Sequence, residues 1–134
     1  MIKAVVDTNV IVSALLTPDG SPAKVVALFF SGAFDPVVSD EILHEYSRVL
    51  ARSELGLDVN KVHIFLGYFT RFRLPLPPAP AGWPCTDPDD TKFIDAAFSG
   101  KAHYIVTGNK KHFPEQLPDI TIISPHEFLL LLSQ

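Results

Sequence analysis

The sequence predicts an α/β fold built on a central, mainly parallel sheet. Four strand-like runs occur along the chain, helical patterns fill the intervals between them, and 47% of the 134 residues are hydrophobic. Alternating strands and helices are typical of a parallel sheet. The chain is long enough for one core and too short for two, so we expect a single domain over residues 1–134.

The first predicted strand, residues 2–6, ends on Asp7, the most informative residue of the chain. Thr8 and Asn9 follow it and lead directly into a second apolar stretch. A buried strand that ends on an acid brings a carboxylate to the carboxyl edge of the sheet, where open α/β sheets build their sites. Burying that carboxylate is costly unless a cation, a hydrogen-bond donor or a proton compensates it.

The remaining elements are predicted from β-branched runs, capping residues and apolar spacing. Ser21 and Ser39 are the predicted caps of the first two helices, and Gly32 ends the first. Residues 74–84 contain five prolines and are predicted to form an extended crossover rather than a linker between domains. Further strands are expected over residues 35–38, 104–107 and 120–123, and helices over residues 21–32, 39–50, 59–72, 87–100 and 125–132.

The composition argues against several classes of protein. A formal charge of −4 disfavours binding of nucleic acid by bulk positive charge, so a polyanion would need a local basic patch or metal ions. A single cysteine, Cys85, excludes an internal disulfide and a cysteine-rich zinc site. The sequence lacks a signal-peptide pattern and an apolar stretch of membrane-spanning length. We therefore expect a cytoplasmic protein that does not associate with membranes.

Acidic side chains recur at positions that the predicted fold brings toward Asp7. Glu45 falls within an apolar stripe formed by Ile42, Tyr46 and Val49 on a helix that packs on the sheet. A salt bridge to Arg48, three residues further on, would explain the position of Glu45 equally well.

Aspartates also crowd the start of the predicted fourth helix. Asp87 precedes Pro88 and is expected to cap the helix, whereas Asp90 lies deeper in the first turn, where a structural and a functional role are both open. Asp95, beside the buried face of the same helix, is either a further acid of the site or a solvated residue.

The third predicted strand ends at Thr107, and Asn109 follows two residues later. Right-handed crossovers place this turn at the same sheet edge as Asp7, so Thr107 and Asn109 are expected beside the acids. Basic residues come next and form either a functional rim or an ordinary solvated surface: Lys110, Lys111 and His112.

Asp7, Glu45 and Asp90 together predict one acidic cleft. Their oxygen ligands suit the hard cations Mg²⁺ or Mn²⁺, and too few histidines or cysteines are suitably placed for zinc. Such a centre supports phosphodiester hydrolysis, because a bound metal ion lowers the pKa of a water molecule and stabilises the leaving oxygen.

Four segments of the chain, Val5 to Val10, Ser39 to Tyr46, Asp87 to Phe93 and Tyr104 to Asn109, carry these features. In order and at compatible spacing, they resemble the successive motifs of PIN-domain proteins, in particular a bacterial branch of toxins of toxin–antitoxin systems. The resemblance covers essentially the whole chain. It implies a three-layer α/β/α fold, Mg²⁺- or Mn²⁺-dependent ribonuclease activity, frequent homodimers and inhibition by a small antitoxin protein.

Carried over residue by residue, the resemblance implies that Asp7, Glu45 and Asp90 bind the metal. Supporting residues would be Thr8 or Asn9, which would orient the first acid, and Thr107, which would lie behind the cleft. The neighbouring positions Asp89 and Thr91 are the alternatives to Asp90 for the third acid.

The chain departs from the family pattern at Asn109, where many relatives carry an aspartate. An amide offers an oxygen ligand but no negative charge, so a second metal ion should bind more weakly here. Either one metal ion suffices, or Asp87 or Asp95 compensates, or the enzyme is weak.

Two other functions are compatible with the sequence. Asn109 favours a PIN-like module that binds RNA or protein without cutting it, whereas a phosphatase with Asp7 as nucleophile would usually need a second acid at the position of Asn9. If the substrate is RNA, the expected phosphate contacts are Lys110, Lys111 and Lys92, and His112 is available for stacking.

Overall fold

The strands form one sheet, and its register explains why several loops meet at one edge. The computed structural model describes residues 1–134, with strands β1 (Lys3–Val6), β2 (Asp35–Pro36), β3 (Tyr104–Val106) and β4 (Thr121–Ile123). All four strands are parallel, in the order β2-β1-β3-β4. Val106 lies opposite Val6 on one side and Ile123 on the other, so the chain leaves β1, β3 and β4 at the same level.

Six helices connect and cover the strands. They are α1 (Thr8–Leu16), α2 (Ser21–Phe30), α3 (Asp40–Leu50), α4 (Val59–Thr70), α5 (Thr91–Ser99) and α6 (Pro125–Leu132). α2 packs against α1 and α6, and α3 packs against α4 and α5. Short 3-10 turns occupy Ser53–Leu55, Pro88–Asp90 and Lys110–His112. This is the three-layer α/β/α arrangement that the resemblance implies, built on the parallel sheet that the strand and helix patterns predict.

The hydrophobic core is continuous from the first strand to the last helix. Its members include Ala4 and Phe128, both fully buried, and it draws residues from every layer. Tyr46 on α3 is also fully buried, and its hydroxyl donates to the carbonyl oxygen of Val6 at the end of β1. That hydrogen bond fixes α3 against the strand that leads into Asp7. No helix is both long enough and apolar enough to cross a membrane.

Apart from shifts of one or two residues at the ends of elements, the structure differs from the prediction in four places. Helix α1 was not predicted, because a continuous apolar run does not distinguish a helix from a buried strand. Ser21 begins α2 without capping it, since Gly20 holds the N-cap position. Strand β2 contains only residues 35–36, and Pro36 has no N–H to extend the ladder. The predicted fourth helix is divided into the 3-10 turn Pro88–Asp90, capped by Asp87, and α5.

The proline-rich segment runs as an extended crossover, as predicted, with no helix or strand over residues 74–84. It is tied to the domain at two points. The N–H of Leu74 donates to the carbonyl oxygen of Val38 at 2.9 Å, and the N–H of Ala81 donates to Oδ1 of Asp95 at 2.8 Å.

Candidate active site

The first acid lies at the carboxyl end of β1. Asp7 is only 5% exposed, and its N–H donates to the carbonyl oxygen of Val106 on β3 at 2.9 Å. Thr107 leaves β3 at the same level, and its hydroxyl donates to Oδ2 of Asp7 at 2.7 Å. The register of β1 and β3 therefore determines this contact, because the residues that follow Val6 and Val106 are neighbours across the sheet edge.

Opposing effects act on the Asp7 carboxyl. Burial raises its pKa, the Thr107 hydroxyl and the backbone N–H groups of Asn9 and Thr8 lower it, and the negative charge of Glu45 raises it again. The net direction is upward from the usual aspartate value. Asp7 therefore lies in an environment that would favour a compensating cation.

The second acid, Glu45, lies on α3 with most of its side chain covered, at 15% exposure. Ser39 caps this helix by accepting from the N–H of Ile42 at 3.2 Å. Glu45 Oε2 accepts a hydrogen bond from the hydroxyl of Thr8, and Oε1 lies 2.7 Å from Nζ of Lys92. The Arg48 guanidinium is further away, 3.8 Å from Oε1, and more exposed. The expected Glu45–Arg48 pair exists, but Lys92 is the closer partner.

The third acid, Asp90, ends the 3-10 turn before α5, and its side chain is 18% exposed. Burial, followed by the negative charges of Asp7, Asp87 and Glu45, raises its pKa, and the net value is about 6. His112 opposes these effects, since its Nδ1 lies 3.7 Å from Oδ2 of Asp90. The charges of Asp7 and Glu45 thus reach Asp90 across the cleft.

The neighbouring aspartates have other surroundings. Asp89 is exposed, and Asp87 caps the turn by accepting from the N–H of Asp89 at 3.0 Å. Asp95 holds the proline-rich crossover. The structure therefore places Asp90 in the acidic cleft, leaves Asp87 beside it as a cap, and directs Asp95 elsewhere.

Asn109 does not join the acids. Its side chain is exposed, and its Nδ2 lies 3.1 Å from Nε2 of His112. Its backbone N–H donates to the Thr107 hydroxyl at 3.0 Å, and it makes no hydrogen bond to Asp7, Glu45 or Asp90. When the amide donates to Nε2, the ring proton lies on Nδ1, facing Asp90. Asn109 thus orients His112 and supports Thr107.

The basic residues are not equivalent. Lys111 is exposed, and Lys110 forms an ion pair with Glu127 on α6. Lys92 was expected to contact phosphate, but the residue is only 7% exposed and its ammonium is paired with Glu45. In the sequence, Lys92 lies next to the core residue Phe93 and close to several acids, and this position could have indicated that Lys92 is buried.

The comparison with known proteins assigns the chain to a family. Residues 3–111 match the family model of the PIN domain. The chain belongs to the PIN-domain family. It is also similar to an uncharacterized protein of Methanocaldococcus jannaschii, at 37% identity over 113 residues that cover 81% of this chain and 72% of that protein. PIN domains form a nuclease superfamily, so the acidic edge is the candidate nuclease centre.

The donor groups of this PIN domain fit a hard divalent cation in their chemistry. Asp7, Glu45 and Asp90 offer only carboxylate oxygens, and burial with like charge raises the pKa of Asp7 and Asp90. Nevertheless, no three histidine, cysteine, aspartate or glutamate side chains are grouped closely enough to hold a metal ion. Glu45 is directed to Thr8 and Lys92, which leaves Asp7 and Asp90 as the carboxylates best suited to hold one.

Proposed function

We propose that this PIN domain is a Mg²⁺- or Mn²⁺-dependent endoribonuclease that hydrolyses RNA phosphodiester bonds. One observation carries the proposal: carboxylates from three separate elements lie close enough together at the sheet edge that the charges of Asp7 and Glu45 raise the pKa of Asp90. Such mutual repulsion is typical of sites that serve a cation or a proton transfer rather than stability.

Each residue of the cleft has a defined task in this proposal. When bound, a divalent cation supplies positive charge for the scissile phosphate and lowers the pKa of the attacking water. Asp7 and Asp90 would hold that cation. The Thr107 hydroxyl fixes one oxygen of Asp7, while Thr8 and Lys92 fix both oxygens of Glu45. Fixed carboxylates lower the cost of ordering the site when substrate arrives.

The exposed side of the cleft supports RNA as the substrate. Lys111 is exposed, and His112 lies against Asp90 at the edge of the acids. The chain has a formal charge of −4, so a polyanion needs a local basic contact of this kind. Lys111 would contact phosphate, and His112 would contact phosphate or stack on a base.

The biological setting of the proposal rests on the resemblance. We place the protein in the cytoplasm as the toxin of a toxin–antitoxin pair, acting as a homodimer and inhibited by an antitoxin protein. Induced expression should arrest growth, and Asp7→Asn should relieve the arrest at equal protein level. Equal growth arrest by both proteins would contradict a nuclease-based toxin.

A second function is favoured by a specific observation. Asn109 points to His112 rather than to the acids, and no three-ligand group exists in the structure. A PIN-like module that binds RNA or a protein without cutting it is compatible with that arrangement.

Cleavage of a mixed-sequence single-stranded RNA separates the two functions. Wild type should cut with Mn²⁺ or Mg²⁺ and lose activity with EDTA, and Asp7→Asn should bind RNA without cutting it. Wild type that binds RNA and never cuts it under any metal condition would support the binding module instead.

A further inference from the structure

The cleft contains a cation that belongs to the chain itself. Lys92 is 7% exposed, and its Nζ lies 2.7 Å from Oε1 of Glu45 and 2.5 Å from the carbonyl oxygen of Asp89. An ammonium group this deeply buried is tolerated only when anions and acceptors surround it. Lys92 is therefore a structural part of the acidic cleft. Glu45 holds its ammonium on one side and the carbonyl oxygen of Asp89 holds it on the other.

Lys92 also limits the availability of the Glu45 oxygens for a metal ion. One Glu45 oxygen accepts from the Thr8 hydroxyl, and the other is paired with Lys92. Both oxygens are thus engaged by the protein's own donors. Asp7 and Asp90 have no lysine or arginine partner within ion-pair distance, and the basic side chain paired with Asp90 is His112, whose Nδ1 lies 3.7 Å from Oδ2.

The formal charges of these groups are consistent with a Glu45 that is neutralised by Lys92 and with Asp7 and Asp90 that are left for a metal ion. Taken alone, the three carboxylates of Asp7, Glu45 and Asp90 and the one ammonium of Lys92 have a formal net charge of about −2, which one divalent cation neutralises. A second divalent ion would bring an excess of positive charge, and Asn109 provides no further carboxylate.

We propose that Lys92 is a built-in cation that takes the place of a second metal ion: it neutralises Glu45 and restricts the centre to one divalent ion, held by Asp7 and Asp90. The inference rests on the proposed metal-dependent function and specifies its stoichiometry. Lys92 acts through Glu45 rather than by contact with the substrate, so it is a positioning residue.

Calorimetric titration with Mn²⁺, without RNA, tests the proposal. Wild type should bind one Mn²⁺ per chain. Lys92→Met keeps an unbranched side chain without the charge, and it should either bind a second Mn²⁺ or bind the first at least ~10-fold more tightly, because a nearby positive charge is gone. Lys92→Arg keeps the charge and should behave like wild type.

Lys92→Met could fail to fold because it leaves Glu45 buried without its partner. A double variant keeps the test valid in that case. Glu45→Gln with Lys92→Met removes both charges of the pair and preserves the net charge of the cleft. It should bind one Mn²⁺ with an affinity within about threefold of wild type, a factor set by the unchanged local charge. Circular dichroism should confirm that each variant is folded.

The outcomes separate the two proposals. Two Mn²⁺ ions on wild type, an unchanged titration for Lys92→Met, or a large loss of affinity in the double variant would overturn the role of Lys92 and leave the nuclease proposal intact. Wild type that binds no Mn²⁺ would overturn both.

Discussion

The hydroxyl of Thr107 donates to Oδ2 of Asp7 at 2.7 Å, joining the ends of two adjacent parallel strands that are 100 residues apart in sequence. The same hydroxyl accepts from the N–H of Asn109 at 3.0 Å. The hydroxyl therefore links the first acid to the turn that orients His112. A neutral donor in this position holds the carboxylate without neutralising its charge.

Thr107→Val should weaken both the protein and its site. The substitution keeps the shape and removes the hydroxyl, which lowers the pKa of Asp7 and so stabilises its ionised form. We expect a loss of about 1.5–3 kcal/mol in the free energy of unfolding at neutral pH, and a smaller loss at acid pH where Asp7 is protonated. The acid limb of the cleavage profile should move to higher pH. Urea denaturation and pH–rate profiles measure these effects.

Thr107→Ser, which keeps the hydroxyl, is the matched control, and an equal loss in both variants would contradict the assignment.

Asp90→Asn should stabilise the metal-free protein at neutral pH. The pKa of Asp90 is raised from 3.8 to about 6 in the folded state, so between these values the folded protein holds a proton that the unfolded chain has released. The contribution of this carboxyl to stability is therefore greatest below about pH 4 and falls as the pH rises through about 6. Relative to wild type, the variant should gain little near pH 4 and about 1–2 kcal/mol at pH 7.5, after allowance for partial exposure. Denaturation in EDTA provides the measurement.

Asp89→Asn, an exposed neighbour, should show no such pH-dependent gain, and a gain of the same size there would refute the explanation.

Lys111 should contribute more to RNA affinity than Lys110, because Lys110 is already paired with Glu127. Binding is measured with the Asp7→Asn protein in EDTA, so that no RNA is cut. Lys111→Gln should weaken binding and reduce the salt dependence by about 0.7 in the slope of log affinity against log salt, the contribution of one phosphate contact on a single strand. Lys110→Gln should have a smaller effect, and Glu127→Gln, which frees Lys110, should strengthen binding. A larger effect of Lys110→Gln than of Lys111→Gln would contradict this prediction. It would indicate that the RNA lies on the Lys110 side of the 3-10 turn Lys110–His112.

The sequence predicted the parts of the fold that depend on local patterns. The parallel strands and most helices follow from β-branched runs and apolar spacing, and the cap at Ser39 is present as predicted. Helix α1 was missed because its apolar residues are continuous rather than spaced. The division of the fourth predicted helix was missed because Asp87 caps the 3-10 turn, so the α-helix itself begins only at Thr91.

The site was predicted less completely, because the direction of a side chain is a tertiary property. Periodicity placed Glu45 on the buried face, but only the structure shows that Lys92 shares its cleft. Position along the chain suggested that Asn109 would face the acids, and the structure turns its amide to His112 instead. Lysines are usually exposed, so the burial of Lys92 depends on partners that are distant in sequence.

The acids at the sheet edge form the proposed hydrolytic centre, and two adjacent aspartates provide the sharpest test of it. Asp90 lies within the field of Asp7 and Glu45, whereas Asp89 is exposed to solvent. Single-turnover cleavage of a single-stranded RNA should be measured with Mn²⁺ for wild type, Asp90→Asn and Asp89→Asn. Asp90→Asn should lose at least ~100-fold in rate, or ~2.7 kcal/mol of transition-state stabilisation, while Asp89→Asn stays within about twofold of wild type. Equal rates for the two variants would contradict a centre built on Asp90.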